Sequence, residues 1–210
     1  MISSESRSGS READGVSPRF VYVVLAAGSA RRMGFDKAAT PLAGSSPLER
    51  LGEILGDRSV AIVTAPSREA TYAAAVPWAT VLVNPSPGLG MSSSLLVAHH
   101  AIDADATLAV LLADKPFVRR ETLELCEREF TATGCDVLAP ELLGERGHPV
   151  YFSPNARARL EGLPPGDTLH RVRDDPALAK ISVHCNDRGI LLDLDTPEAW
   201  RGAERRLSGA

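Results

Sequence analysis

Thiols are scarce in this chain. Cys126, Cys135 and Cys185 are the only three among 210 residues, and no two stand at CxxC spacing. An odd, scattered set argues against a disulfide framework or a thiolate metal site. It fits reduced, buried small hydrophobes in a cytoplasmic setting. No apolar run approaches membrane-spanning length, and the first residues lack the apolar core of a signal peptide. An excess of positive charge is missing too. A net charge of −4 leaves no broad basic field for nucleic acid, so a polyanionic ligand must be held by a local basic site. No Ser/His/Asp or Cys/His arrangement for nucleophilic catalysis is evident, and His99, His100, His170 and His184 show neither metal spacing nor an obvious partner.

What is present is enough apolar residue, 44% of the chain, for one globular domain with a real core. Residues 1–18 are Ser, Arg, Glu and Gly with almost nothing apolar. Such a segment cannot offset its ordering entropy and is expected as a disordered tail ahead of a domain over 19–210. Short apolar strands (Val21–Leu25, Val60–Thr64, Val81–Val83, Leu108–Leu112, Val137–Ala139) alternate with helical patterns at Pro47–Leu55, Arg68–Ala74 and Arg119–Thr131. That alternation predicts a single three-layer α/β domain, a mostly parallel Rossmann-like sheet with helices on both faces. Further strands are expected at Ile181–Val183 and Ile190–Leu194, with a closing helix from Pro197 to Leu207.

The most informative stretch runs from Val21 to Lys37, VYVVLAAGSARRMGFDK. Ala26, Ala27 and Gly28 carry no bulk, so the backbone after the strand can approach a ligand closely. Arg31, Arg32 and Lys37 then place cations around a run of backbone amides, a concave site for a polyanion. A Walker loop is excluded, because Phe35 and Asp36 separate Gly34 from Lys37. A dinucleotide fingerprint is excluded by the presence of only two loop glycines.

Downstream, NPSPGLGMSSSL from Asn84 to Leu95 sets three serines after a glycine pair, more than a helix cap requires. Asp114 closes the apolar strand Leu108–Leu112. A carboxylate there is either a hard-oxygen ligand for Mg²⁺ in the crevice at the strand end or the cap of the helix starting near Arg119. In LDLDTPE, Asp193 and Asp195 alternate with leucines, so on a strand both carboxylates share one face. Thr196 or Asp195 could cap the helix opened by Pro197, which leaves the other acid unexplained. His148, between Gly147 and Pro149, is either a positioned polar contact or a hydrogen-bonded structural histidine.

The residues LAAGSARRMGFDK resemble the signature loop of the MobA-like nucleotidyltransferases, roughly LAAGxSxRMGxxK, with Ala30 where a serine is usual. The LAAG form looks more like the molybdopterin cytidylyltransferase branch than the guanylyltransferase branch. ADKP, GERGHPVYF, PPGDTLHRVRDD and LDLDTPE are similar to further family segments in the same order. The first of these carries Lys115 where the family has glutamine. The resemblance implies a nucleotide-diphospho-sugar transferase-like fold and a transferase that moves a nucleoside monophosphate, CMP from CTP first, onto the phosphate of molybdopterin. It implies a triphosphate held by Leu25, Ala26, Ala27, Gly28, Gly34 and Lys37, and base or ribose contacts at Asn84, Gly90, Ser92 and Ser93. It further implies Arg32, Lys37 and Asp114 as catalytic groups, Mg²⁺ (or Mn²⁺) on Asp114 and Asp195, and an acceptor side with His148, Asp167 and Asp193. The implied partners are the nucleotide, the molybdopterin-type acceptor and a molybdoenzyme or its chaperone, with no nucleic acid and no membrane. Departures at Ala30, Lys115 and Thr168–His170 keep two alternatives open: another phosphorylated acceptor, and a non-catalytic nucleotide-binding paralogue.

Overall fold

The computed structural model describes residues 17–28, 34–163 and 170–209. The expected tail therefore lies outside the described residues up to position 16, as do Ser29 to Met33 and Pro164 to Leu169, and nothing is described of the His170 side chain.

Eight strands form one sheet: β1 (Phe20–Leu25), β2 (Val60–Thr64), β3 (Thr80–Val83), β4 (Thr107–Leu112), β5 (Val137–Leu142), β6 (Glu145–Arg146), β7 (Val150–Phe152) and β8 (Lys180–His184). Their order is β3-β2-β1-β4-β7-β5-β6, with β8 paired to β5. The ladders β3-β2-β1-β4 are parallel, as is β5 with β8, whereas β7 runs antiparallel to both β4 and β5. The sheet is thus mixed and mostly parallel, in agreement with the sequence pattern.

Apolar runs without polar alternation are what strands covered on both faces need. Tyr22 and Val24 of β1 face one side, where they meet Leu48, Leu51 and Leu55 of α1 (Pro47–Leu55), Tyr72 of α2 (Glu69–Ala75), and Leu123, Cys126 and Phe130 of α4 (Arg120–Thr133). Val23 and Leu25 face the other, against Leu95 and Ala98 of α3 (Met91–Ala101) and Ala156 of the short α5 (Pro154–Arg157). The period-2 split of β1 thereby builds both cores of a three-layer α/β domain. After the single turn α6 (His170–Arg173) and β8, the chain ends in α7 (Pro197–Ser208), whose Trp200 and Ala203 pack with Leu42 and Leu194.

One expected strand is not formed. Ile190–Leu194 is a 3-10 turn at Arg188–Ile190 followed by an irregular strap. Its polar groups bond to separate elements instead of to one neighbouring edge. His148 N donates to Ile190 O at 3.1 Å, Lys115 Nζ to Leu191 O at 3.0 Å, and Leu194 N to Asp114 O at 2.9 Å. Gly189 allows this close passage, because a Cβ there would lie 1.8 Å from the Phe117 carbonyl oxygen. The Leu/Asp alternation therefore reflects a buried Leu194 and outward acids along a strap, without a ladder. A smaller difference concerns β5, which extends beyond Ala139 and turns into β6.

Candidate active site

The strand order reverses between β1 and β4, so their carboxyl ends frame a crevice, the usual ligand position in an open α/β sheet. A cavity of about 290 Å³ lies there, lined by Leu25 to Gly28 after β1 and by Leu112 to Asp114 after β4. Asp36, Lys37, Arg68, Gly90, Met91, Ser94 and Asp195 complete its polar wall and rim.

Local capping chemistry explains why two acids are left to the cavity. The first turn of α4 is served from a distance. Asp187 Oδ2 accepts from Arg119 N and from Thr122 Oγ1, both at 2.7 Å, so the helix does not draw on Asp114. At α7, Thr196 is the cap and accepts from Ala199 N at 3.1 Å, which leaves Asp195 outside the helix. The Leu194–Asp114 main-chain bond then sets the two residues side by side.

Lys37 Nζ donates to Asp114 Oδ2 at 3.0 Å and also forms a close ion pair with Asp195 Oδ1. Burial alone would lower the lysine pKa, but its bonds to Asp195 and Asp114 outweigh this and raise it, so the ammonium stays charged. Burial raises the Asp114 pKa against the pull of Lys37, and the neighbouring Asp195 adds to that rise. Asp114 Oδ1 is buried with no hydrogen-bond partner among the described residues. Two carboxylates already sharing a cation, one with an orphaned hard oxygen turned inward, are a donor set that fits a divalent metal such as Mg²⁺ or Mn²⁺.

The other expected site residues divide by position. Leu25, Ala26, Ala27, Gly28, Gly90, Lys37, Asp114 and Asp195 border the cavity; Gly34, Asn84, Ser92 and Ser93 do not. Gly34 takes φ +74°, a conformation that favours glycine at the far shoulder of the loop. Asn84 is a buried brace: its Nδ2 donates to Ser93 Oγ and Ser94 Oγ at 2.9 Å each, and its Oδ1 accepts from Ser86 N. Ser93 Oγ donates back to Gly90 O at 2.7 Å. The serine run thus shapes the turn, and Ser94 is the serine that reaches the cavity. Arg32 and Asp167 lie outside the described residues.

His148 and Asp193 stand apart from the cavity wall. His148 Nδ1 lies 3.1 Å from Val110 O, and since a carbonyl only accepts, Nδ1 carries the proton. Burial, joined by the charges of Lys115 and Arg173, holds its pKa down to about 4 despite that bond, so the ring is neutral at pH 7. Asp193 is exposed and 3.6 Å from Lys115 Nζ. Lys115 itself is turned to the strap by its bond to Leu191 O and stays out of the carboxylate pair.

Three polar residues on the cavity wall were not read from the sequence as site residues: Arg68, Asp36 and Ser94. Arg68 follows β2 at the strand end that faces the crevice, a positional signal available in principle. Among the described residues, His99, His100 and Glu161 form a second ligand-like group. These histidines do have a partner, with His100 Nε2 lying 2.6 Å from Glu161. Arg157 Nε donates to His99 Nδ1 at 3.0 Å, however, which puts the His99 proton on Nε2 and blocks the lone pair a metal would need there.

Residues 22–180 match the family model described as the MobA-like NTP transferase domain. The chain belongs to this family. It is accordingly a nucleotidyltransferase. Among curated relatives, the purine catabolism protein PucB of Bacillus subtilis is 29% identical over 221 residues, spanning 91% of this chain and 99% of PucB. A protein of Mycobacterium bovis named probable molybdenum cofactor guanylyltransferase is 36% identical over 123 residues, 56% of this chain and 60% of that protein. Among solved structures, the molybdopterin-guanine dinucleotide biosynthesis protein A of Archaeoglobus fulgidus superposes with a TM-score of 0.72 at 21% identity, covering 90% of this chain and 100% of that one. This last likeness speaks to the MobA-like fold alone. Among the described residues, no helix of this MobA-like chain is long and apolar enough to cross a membrane.

Proposed function

We propose that this transferase moves a nucleoside monophosphate from an NTP to the phosphate of a molybdopterin-type acceptor, with Mg²⁺ (or Mn²⁺) as cofactor and pyrophosphate as the second product. The observation that carries the reading is the convergence of Asp114, Asp195 and Lys37 on one cavity at the reversal of strand order. In an in-line displacement at the α-phosphorus, an acceptor phosphate oxygen forms the new P–O bond and the bond to the β-phosphate breaks. Pyrophosphate then leaves with the electron pair. Such chemistry asks the protein mainly to position groups and offset charge. The loop from Leu25 to Gly28 offers small residues and backbone amides to the triphosphate. Lys37, together with Arg32, compensates the charge that develops on the leaving group. A divalent metal held by Asp114 and Asp195 would polarise the phosphoryl oxygens. His148, Asp167 and Asp193 are assigned to the acceptor side.

The LAAG form of the loop favours CTP as donor. A second reading, GTP, is favoured by the name of the M. bovis relative, which also supports the molybdenum cofactor acceptor class. A molybdoenzyme or its chaperone is the proposed recipient of the product, and the domain is proposed to span 19–210. The test is pyrophosphate release by purified protein with Mg²⁺, each of the four NTPs, and molybdopterin or molybdenum cofactor. Release with CTP alone, abolished in Lys37→Ala, supports the reading. Release with GTP alone replaces the base assignment, and no release with any of the four removes the acceptor assignment.

A further inference from the structure

Lys37 occupies the same two acids that a divalent metal would use. Its Nζ donates to Asp114 Oδ2 at 3.0 Å and pairs closely with Asp195 Oδ1, so one ammonium joins an oxygen of each. A hard cation held by these carboxylates takes their oxygens in direct coordination. The ammonium and the metal exclude one another there, because two cations at such short range repel strongly. Lys37 is also an incomplete substitute, for Asp114 Oδ1 is buried and has no hydrogen-bond partner among the described residues.

The main chain beneath Lys37 is pinned. Asp36 Oδ1 accepts from Ala38 N at 3.2 Å and from Tyr72 Oη at 3.0 Å. Asp36 O accepts from Thr40 N at 2.9 Å and from Thr40 Oγ1 at 2.7 Å. Any change of partner therefore falls to the flexible alkyl stem of the lysine. Asp114 and Asp195 line the same cavity as Ala26, Ala27 and Gly28, the stretch proposed for the triphosphate, so both partners of Lys37 border one space.

We infer that Lys37 is a stand-in for the divalent metal: it competes with Mg²⁺ or Mn²⁺ for Asp114 and Asp195, and yields them when a triphosphate takes its ammonium. Lys37 thereby ties metal loading to nucleotide binding and keeps the acids closed to a metal alone. The inference rests on the metal assignment proposed above. A lysine that only neutralised phosphate charge would not be displaced by a metal in the absence of nucleotide.

Two measurements test this. Calorimetry gives dissociation constants for Mn²⁺, alone and with CTP, in wild type, Lys37→Met, Lys37→Gln and the double variant Lys37→Met/Asp114→Asn. Lys37→Met and Lys37→Gln are each expected to bind Mn²⁺ alone about tenfold more tightly than wild type, the worth of one charged hydrogen bond. The double variant loses that gain. In the wild-type protein, acetylation of the Lys37 amine is read by peptide mass spectrometry, with the exposed Lys180 as reference. Labelling of Lys37 is expected to rise several-fold at high Mn²⁺ and to fall back when CTP is added. Wild-type or weaker Mn²⁺ affinity in both single variants, or Lys37 labelling unmoved by Mn²⁺, overturns the stand-in and leaves the metal assignment in place. If neither wild type nor either single variant binds Mn²⁺, alone or with CTP, the metal assignment itself falls and the stand-in falls with it.

Discussion

The amide of Leu194 donates to the carbonyl of Asp114 at 2.9 Å, and this main-chain bond brings Asp195 beside Asp114 across 81 residues of sequence. Two carboxylates set this close repel unless a cation lies between them. Lys37 supplies that cation here, from the far end of the loop that follows β1. The strap, the loop and the end of β4 are thus joined at one charged point, and the chemistry proposed for the site depends on that junction.

Neutralising either acid should therefore disable turnover without unfolding the protein. Asp114→Asn and Asp195→Asn keep side-chain shape and remove one hard anionic ligand each, and a preorganised charge contact of this kind is worth about a hundredfold or more in rate. If the two serve one metal, the double variant is no slower than the worse single variant by more than a few-fold. Pyrophosphate release against Mg²⁺ concentration checks this, and multiplicative losses would separate the two roles.

The strap makes a second prediction. Gly189→Ala would place a Cβ 1.8 Å from Phe117 O, a backbone atom with nowhere to turn. The strap must lift, and with it the Leu194–Asp114 bond and the approach of Asp195. Overpacking of this kind costs about 1–3 kcal/mol in stability. We expect a larger fractional loss in pyrophosphate release than in unfolding free energy, because Asp195 is carried by the displaced segment. An active enzyme with only a lowered unfolding midpoint would show that Asp195 is held without the strap.

Sequence and structure part company at that strap. The small residues Ala26 to Gly28, the parallel strands and the place of Asp114 at the end of β4 were legible because each rests on a local signal: a run of small residues, an apolar run, an acid at a strand end. The caps could be named only as alternatives, because Asp187, the group that relieves Asp114 of capping α4, comes from 68 residues beyond Arg119. The Leu/Asp alternation of residues 192–195 mimicked a strand. Its buried leucine is explained by packing on Trp200 and Leu42, which no periodicity reveals. Arg68 was read only as the start of a helix, because two of its partners are the carbonyls of Ala26 and Gly28, and main-chain acceptors leave no mark in a sequence.

His148 yields a prediction in pH. Its pKa of about 4 lies below the ordinary imidazole value because burial, aided by Lys115 and Arg173, disfavours the charged ring; the Val110 carbonyl works in the opposite direction. A base with a depressed folded pKa adds stability that is whole above the unfolded pKa, near 6.5, and is lost as pH falls toward the folded value. Between pH 6.5 and 5 the loss should be roughly 2 kcal/mol. His148→Gln is expected to flatten this slope in urea unfolding at a series of pH values, at some cost in stability at pH 7. An unchanged slope would assign the acid sensitivity to other groups.

Arg157 is the largest of the fully buried side chains, 1% exposed, and a fully buried guanidinium is tolerated only when its donors are met. All five N–H groups are satisfied. Nε donates to His99 Nδ1 at 3.0 Å, Nη1 to Asp103 O and Ala106 O at 2.7 and 3.0 Å, and Nη2 to His99 O and Ile102 O at 2.5 and 2.9 Å. The carbonyls of His99 and Ile102 end α3, the helix whose first turn borders the cavity, so Arg157 anchors that helix from the opposite end. Arg157→Met keeps the apolar stem and leaves four carbonyls to find other donors, each costing about 1–3 kcal/mol if it fails. Some will be reached by water, and a net loss of about 3–5 kcal/mol is expected in urea unfolding. Arg157→Lys, with three donors on one atom, should recover less than half of it. If Arg157→Met unfolds within 1 kcal/mol of wild type, roughly the net value of one hydrogen bond, α3 ends well enough without its guanidinium and the anchor is dispensable.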